Sequence, residues 1–131
     1  DFFGVLSTNL SKADILESLL RAFTHQGKGY DYEFSLQTKD EIFCSELVFD
    51  AFIKTNQKAG ITLPTSVVAG KEIVAPQDIV MKFVTEHKNT NPELKFVYFL
   101  DSKETTGVAT IANEQDFIES YSRPKYSFLQ E

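Results

Sequence analysis

The single cysteine, Cys44, is the side chain of this sequence best suited to covalent chemistry. If a helix begins between Asp40 and Phe43, Cys44 lies in its first turn, where unpaired backbone N–H groups and the helix dipole favour a thiolate. A thiolate can attack a carbonyl carbon when a base takes the thiol proton and amide donors stabilise the oxyanion. The spacing therefore predicts a candidate nucleophile.

An inert position in the core is the alternative for Cys44. Free cysteine is among the most buried residue types, and Cys44 shares a helical stripe with Leu47 and Val48. Periodicity alone favours this buried position, and only the place near a helix start favours the nucleophile.

Two histidines are candidates for the base. His25 falls at the end of the first predicted helix and His87 near the end of the third. At both places a partly charged imidazole interacts favourably with a helix C-terminus, so a structural role explains each of them. We prefer that role, because neither lies on a rigid strand of the kind that usually presents a base.

The apolar periodicity predicts a mixed α+β domain. Strands or extended segments are predicted at 2–7, 30–36 and 95–100. Ser11, with Asp14 three residues later, predicts the start of a first helix that ends near Gly27. The apolar residues that share one face of this helix are Ile15, Leu16, Leu19, Leu20 and Phe23.

Thr38 and Asp40 are the predicted N-cap residues of a second, strongly amphipathic helix. Its apolar face consists of Cys44, Leu47, Val48, Ala51 and Phe52. Pro76 is the predicted first residue of a third helix, where its missing N–H needs no partner, and Asn113 begins a short fourth one. The connection 61–75 is predicted as loop with short extended pieces.

Composition narrows the class of protein. A chain of 131 residues with 42% hydrophobic residues is long enough to form one compact domain with a core. The net charge of −6 provides no basic surface for nucleic acid, and no apolar run approaches the roughly 20 residues of a membrane helix. One cysteine and two histidines form no metal-ligand pattern, so we expect no metal and no cofactor.

Two motifs stand in order in the chain, GKGYDYEF at 27–34 and EIFCSELV at 41–48. Together they resemble the paired motifs of the YiiX/YebB-like, permuted NlpC/P60 (papain-like) cysteine hydrolases. The later segments VAGK at 68–71 and APQDI at 75–79 are similar to the downstream part of that family. The resemblance extends from about residue 10 to residue 84.

The resemblance implies an α+β fold in which a small antiparallel sheet packs with helices. It implies that Cys44 is the catalytic nucleophile, at the start of a helix. In the family the catalytic histidine precedes the cysteine, on a strand with a G-H-x-G-I-like motif. No such motif precedes Cys44 here. We therefore expect residues 1–131 to fold as a single unit that forms the C-terminal part of the permuted domain. The alternative is a copy of the domain that has lost its catalytic histidine.

Tyr30 and Asp31 match the first motif, so the resemblance implies that they bind substrate beside Cys44. The alternative is a Gly-Tyr-Asp turn in which the Asp31 side chain caps backbone N–H groups. Glu46 and Ser45 follow Cys44 on the helix, and packing or helix capping explains both.

The implied activity is thiol-dependent hydrolysis of a peptide, a peptidoglycan stem or an acyl amide through a Cys44 thioester. Two alternatives remain at this level. One is transfer of an acyl group from lipid, as in the similar lecithin:retinol acyltransferase-like proteins. The other is a papain-like domain that binds its ligand without turning it over.

Overall fold

The computed structural model describes residues 2–103 and 107–123, which form four helices and three small sheets. The helices are α1 (Lys12–Phe23), α2 (Cys44–Phe52), α3 (Pro76–Glu86) and α4 (Glu114–Ser120). The strands are β1 (Phe2–Thr8), β2 (Gly29–Tyr30), β3 (Glu41–Ile42), β4 (Ser66–Val68), β5 (Lys71–Ile73), β6 (Leu94–Lys103) and β7 (Val108–Ala112). The predicted α+β class is confirmed. No described helix is long and apolar enough to cross a membrane.

The largest sheet is antiparallel, with strand order β1-β6-β7. Phe117 of α4 packs on one of its faces, with its ring centroid 5.2 Å from that of Phe99 and 5.4 Å from that of Phe83 in α3. Gly4 of β1 lies directly under this ring, because a Cβ at that position would be 2.8 Å from it. The fully buried core residues around this contact are Ile61, Leu63, Phe83, Leu94, Phe99 and Phe117.

The apolar face of α1 lies outside this core. The residues of α1 that are exposed include Leu16, Leu19, Leu20 and Phe23. Instead, α1 contacts α2 through its polar side, where Ser18 is fully buried and the Arg21 guanidinium donates to the Ile53 carbonyl at 3.2 Å.

The start of α2 differs from the sequence prediction. The N-cap is Phe43 rather than Thr38 or Asp40, because residues 41–42 are extended and pair with β2. By contrast, the structure confirms Ser11 and Asn113 as N-caps, and Pro76 as the first residue of α3.

A strap at residues 60–61 holds the end of α2. The Ile61 N–H donates to the Phe52 carbonyl at 2.7 Å, and the Lys54 N–H donates to the Ile61 carbonyl at 3.0 Å. Only glycine fits at position 60, because a Cβ there would lie 2.5 Å from the Phe52 oxygen. The C-terminal end of α2 is therefore joined tightly to the segment that enters the core.

The predicted extended pieces of 61–75 pair as a hairpin, β4 with β5. Its two-residue turn has positive φ at both positions, 52° at Ala69 and 80° at Gly70, as a tight hairpin turn requires. This hairpin lies beside the loop that follows β2, since the Leu36 N–H donates to the Glu72 carbonyl at 3.4 Å.

Candidate active site

Cys44 is the first residue of α2, and its thiol is exposed. Its chain neighbours Phe43, Ser45 and Glu46 are all buried, with at most 5% of their surface accessible. The structure therefore presents the sulfur to solvent from a backbone that is anchored on both sides. This is the first-turn position expected for a nucleophile, and the buried position that periodicity favours is not the one that Cys44 occupies.

Two hydrogen bonds fix the first turn of α2. The Ser45 hydroxyl donates to the Val74 carbonyl at 2.6 Å, which joins the turn to the segment that leads into α3. The Glu46 carboxylate accepts from the Phe43 N–H at 3.3 Å and so caps the helix from within. Both side chains therefore fix the backbone on which Cys44 stands.

Pairing between β2 and β3 brings Tyr30 to Cys44. Tyr30 is opposite Ile42 in a parallel register, and the Asp31 N–H donates to the Ile42 carbonyl at 3.2 Å. The Tyr30 hydroxyl is then close enough to the Cys44 sulfur to interact with it electrostatically. Partial burial of the hydroxyl, together with the charge and the acceptor capacity of this nearby sulfur, raises the pKa of Tyr30. The hydroxyl therefore stays protonated, as a donor, at all pH values of interest.

The Asp31 carboxylate organises the loop after β2 and is fully buried. One oxygen accepts from the N–H groups of Glu33 at 2.7 Å and Phe34 at 3.1 Å, and the other accepts from the Ser35 N–H at 3.0 Å. Burial opposes ionisation, but these bonds and one from the Thr38 hydroxyl outweigh it and hold the pKa of Asp31 below its usual value. This is the capping arrangement foreseen as the alternative, and a direct contact between Asp31 and substrate remains a prediction.

The end of β2 and the loop held by Asp31 carry three exposed aromatic rings, Tyr30, Tyr32 and Phe34, which we call the aromatic shelf. The Tyr30 centroid is 4.9 Å from that of Tyr32 and 6.3 Å from that of Phe34, with the rings edge to face. Phe34 in turn contacts Phe43, with centroids 5.7 Å apart, and it adopts a positive φ of 53°. Sequence reasoning singled out only Tyr30, although the alternation of Tyr30, Tyr32 and Phe34 was the available signal.

Each histidine has a partner other than the Cys44 thiol. The His25 Nε2 lies 3.6 Å from an Asp50 carboxylate oxygen, in the contact between α1 and α2. The His87 ring packs on Phe83 with centroids 5.5 Å apart, and its Nδ1 is 2.8 Å from the Val84 carbonyl. The His87 contact fits the helix C-terminal role preferred from the sequence, whereas His25 pairs with Asp50 of α2, and its Nδ1 is buried with no hydrogen-bond partner among the described residues. Among residues 2–103 and 107–123, no group of His, Cys, Asp and Glu is arranged to hold a metal ion.

Glu46 gives a prediction for stability, because burial, reinforced by the charges of Asp50 and Asp31, raises its pKa despite the opposing hydrogen bond from Phe43. A group with a raised folded-state pKa stabilises the fold fully below its unfolded value, and this contribution is lost as pH rises through the folded value. Glu46→Gln keeps an oxygen for the Phe43 N–H and removes the buried charge. We expect it to stabilise the protein by about 1 kcal/mol at pH 7.

Thermal melts of wild type and Glu46→Gln at two pH values check this expectation. The variant should melt higher at neutral pH, and the difference should vanish below about pH 4.5, where the carboxyl group is protonated in the unfolded state too. Glu41→Gln makes the same chemical change at an exposed position and should leave the melting temperature unchanged. A melting temperature of Glu46→Gln below that of wild type at pH 7 would contradict the assignment of a buried carboxylate.

A family model described as permuted papain-like amidase enzyme, YaeF/YiiX, C92 family, matches residues 5–119. The matched segment contains both motifs, with Tyr30 and Cys44, and extends through α4 as far as Glu119. No curated protein and no solved structure matches the chain significantly.

Proposed function

This chain belongs to the permuted papain-like amidase family, and from that premise we propose that it hydrolyses an amide bond through a thioester on Cys44. The substrate is a peptide, a peptidoglycan stem or another acyl amide. One observation carries the proposal: the exposed Cys44 is the first residue of α2, and strand pairing places Tyr30 opposite Ile42, two residues before it.

The chemistry follows from this arrangement. The Cys44 sulfur attacks the carbonyl carbon, the C–N bond breaks, and the amine leaves with a proton while the acyl group stays on sulfur as a thioester. Water then attacks the thioester, releases the carboxylic acid and restores the thiol. The first N–H groups of α2 have no partner inside the helix, so they are donors for the developing oxyanion.

Tyr30 has two roles in this proposal. Its hydroxyl donates to the sulfur before reaction and turns to the carbonyl oxygen as negative charge moves there. Its ring binds the substrate beside the thiol. Asp31 contributes to substrate binding through the loop, because its carboxylate holds the N–H groups of residues 33–35 and thereby places the aromatic shelf.

A base must also take the thiol proton. His25 and His87 are the only two histidines of the sequence, and the contacts of both lie elsewhere. We therefore propose that the base comes from residues outside this sequence, in line with the position of the histidine in the family that the motifs resemble.

Substitutions at Cys44 and Tyr30 test the proposal against a panel of fluorogenic acyl amides. Cys44→Ser should abolish amide hydrolysis, and Tyr30→Phe should lower kcat/KM roughly 100-fold while the ring remains in place. Tyr121→Phe is the matched control, because it removes a tyrosine hydroxyl that bonds to the Met81 sulfur in another part of the fold. Its activity should equal that of wild type.

The other outcomes separate the alternatives. Acyl transfer would appear as an acylated amine or alcohol formed from a phospholipid, with no free acid. Ligand binding that persists without turnover in the longest available form of the protein would favour a non-catalytic domain, for which the contacts of the two histidines are the favouring observation. Hydrolysis that survives in Cys44→Ser would overturn the proposal.

A further inference from the structure

We propose that the aromatic shelf of Tyr30, Tyr32 and Phe34 is the subsite for the acyl side of the substrate. The residue whose carbonyl Cys44 attacks then carries an aromatic or other bulky apolar side chain. This inference rests on the proposed function and adds to it the class of substrate.

The aromatic shelf adjoins the thiol. The Tyr30 ring contacts those of Tyr32 and Phe34, and Phe34 contacts Phe43, the residue before Cys44. A carbonyl carbon bonded to the Cys44 sulfur has its substituents within a few ångströms, so its acyl side chain is within reach of these rings. The exposed fractions of the three residues are 44%, 81% and 45%, so the surface is free to receive an apolar group.

The shelf is built by the surrounding structure rather than left as a random exposed patch. Phe34 holds a positive φ that non-glycine residues rarely adopt, and such strain persists only where neighbouring contacts impose it. Here the Asp31 carboxylate imposes it from inside the loop. From outside, Glu33 is joined to Lys71 of the hairpin by an ion pair of 2.7 Å.

Charge around the shelf favours an apolar side chain over an acidic one. The segment 28–41 carries four acidic residues and two lysines. The ion pair with Lys71 neutralises Glu33, and the exposed Asp40 and Glu41 are matched in number by Lys28 and Lys39, so no net positive charge is left for an acidic group. An acidic acyl residue therefore gains no ionic partner here, whereas an aromatic ring gains edge-to-face contacts with the shelf.

Alkylation rates of Cys44 test the subsite directly, because the chain has no other cysteine. The probes are the chloromethyl ketones of acetyl-phenylalanine, acetyl-glycine and acetyl-glutamate, with iodoacetamide as a measure of thiol reactivity alone. We expect the phenylalanine probe to react roughly tenfold faster than the glycine probe, and the glutamate probe to react slowest.

Substitution of the shelf should remove this preference. Tyr32→Ala and Phe34→Leu are expected to bring the phenylalanine and glycine rates within about twofold of each other, with the iodoacetamide rate unchanged. Phe3→Ala, which removes an exposed ring of β1, should keep the full preference. Circular dichroism of each variant confirms that the fold is retained.

The outcomes distinguish the proposed subsite at the aromatic shelf from the proposed nucleophile Cys44. Equal rates for all three ketones in wild type, with normal reaction of iodoacetamide, would overturn the subsite and leave the nucleophile intact. A Cys44 that reacts with none of the probes, iodoacetamide included, would overturn the proposed function itself. A preference that is unchanged in both shelf variants would also overturn the subsite.

Discussion

Asp31→Ala is expected to lower the melting temperature by roughly 10 °C, because three backbone N–H groups lose their acceptor at once. The Asp31 carboxylate is fully buried and accepts from residues 33, 34 and 35. Without it the loop loses the contacts that impose the positive φ of Phe34. The aromatic shelf should then lose its order, and the preference of Cys44 for the phenylalanine probe should disappear with it.

Asp31→Asn and Asp40→Ala complete this experiment. The asparagine retains one acceptor oxygen, so its melting temperature should lie between those of wild type and Asp31→Ala. Asp40 is exposed and close to β2, and its replacement should change neither the melting temperature nor the probe preference. A variant Asp31→Ala that melts like wild type would show that the loop does not depend on this carboxylate.

Lys82→Met is expected to lower the free energy of unfolding by about 3 kcal/mol, because it leaves two largely buried carboxylates without their cation. Only 8% of the surface of Lys82 is accessible, and its ammonium group lies 2.9 Å from Glu86 and 2.6 Å from Glu93. The same carboxylates accept from the backbone N–H groups of Leu94 and Thr62. The lysine therefore joins α3, the start of β6 and the segment after α2.

The pH dependence identifies the ion pair as the cause. Burial opposes ionisation of Glu93, but the hydrogen bonds from Lys82 and Thr62 and the charge of Lys82 outweigh it and hold its pKa below the usual 4.5. A group with a depressed pKa contributes stability above its unfolded value and loses that contribution as pH falls through its folded value. Wild type should therefore lose stability below about pH 4.5, and Lys82→Met should lose less over the same range.

Urea unfolding of wild type and Lys82→Met at pH 7 and at about pH 3.5 measures the free energy of unfolding and its change with pH. Lys82→Arg keeps the cation and should recover most of the stability, whereas Lys95→Met removes an exposed lysine of β6 and should have no effect. Equal stability of Lys82→Met and wild type at pH 7 would show that the three charges contribute nothing net.

Local sequence signals predicted a large part of this fold. Ser11, Pro76 and Asn113 mark the starts of their helices correctly, since capping and a missing N–H act within one turn. The resemblance drawn from the two motifs, and the papain-like α+β class that it implies, are confirmed by the family match. These predictions rest on neighbours along the chain, where the physical cause is local.

The errors and omissions depend on contacts that are distant in sequence. Thr38 and Asp40 have the right chemistry for an N-cap, but pairing of β3 with β2 delays the start of the helix to Cys44. The burial of Asp31 and the aromatic shelf likewise follow from that pairing, together with the hydrogen bonds of the loop. The apolar periodicity of α1 also could not show that its leucine face points away from α2. Periodicity identifies which residues share a face of a helix, but not which other element that face contacts.

The two ends of α2 have a consequence for how this family can change its substrates. Ser45 joins one end to Val74, and the strap at 60–61 joins the other to the segment that enters the core. The sulfur is thus carried by a helix fixed at both ends, whereas Tyr32 and Phe34 lie on the loop after β2, which meets this helix at the contact of Phe34 with Phe43. Under the proposed function, mutations at Tyr32 would alter which amide is preferred while the reacting atom stays in place, so selectivity would evolve with the nucleophile kept.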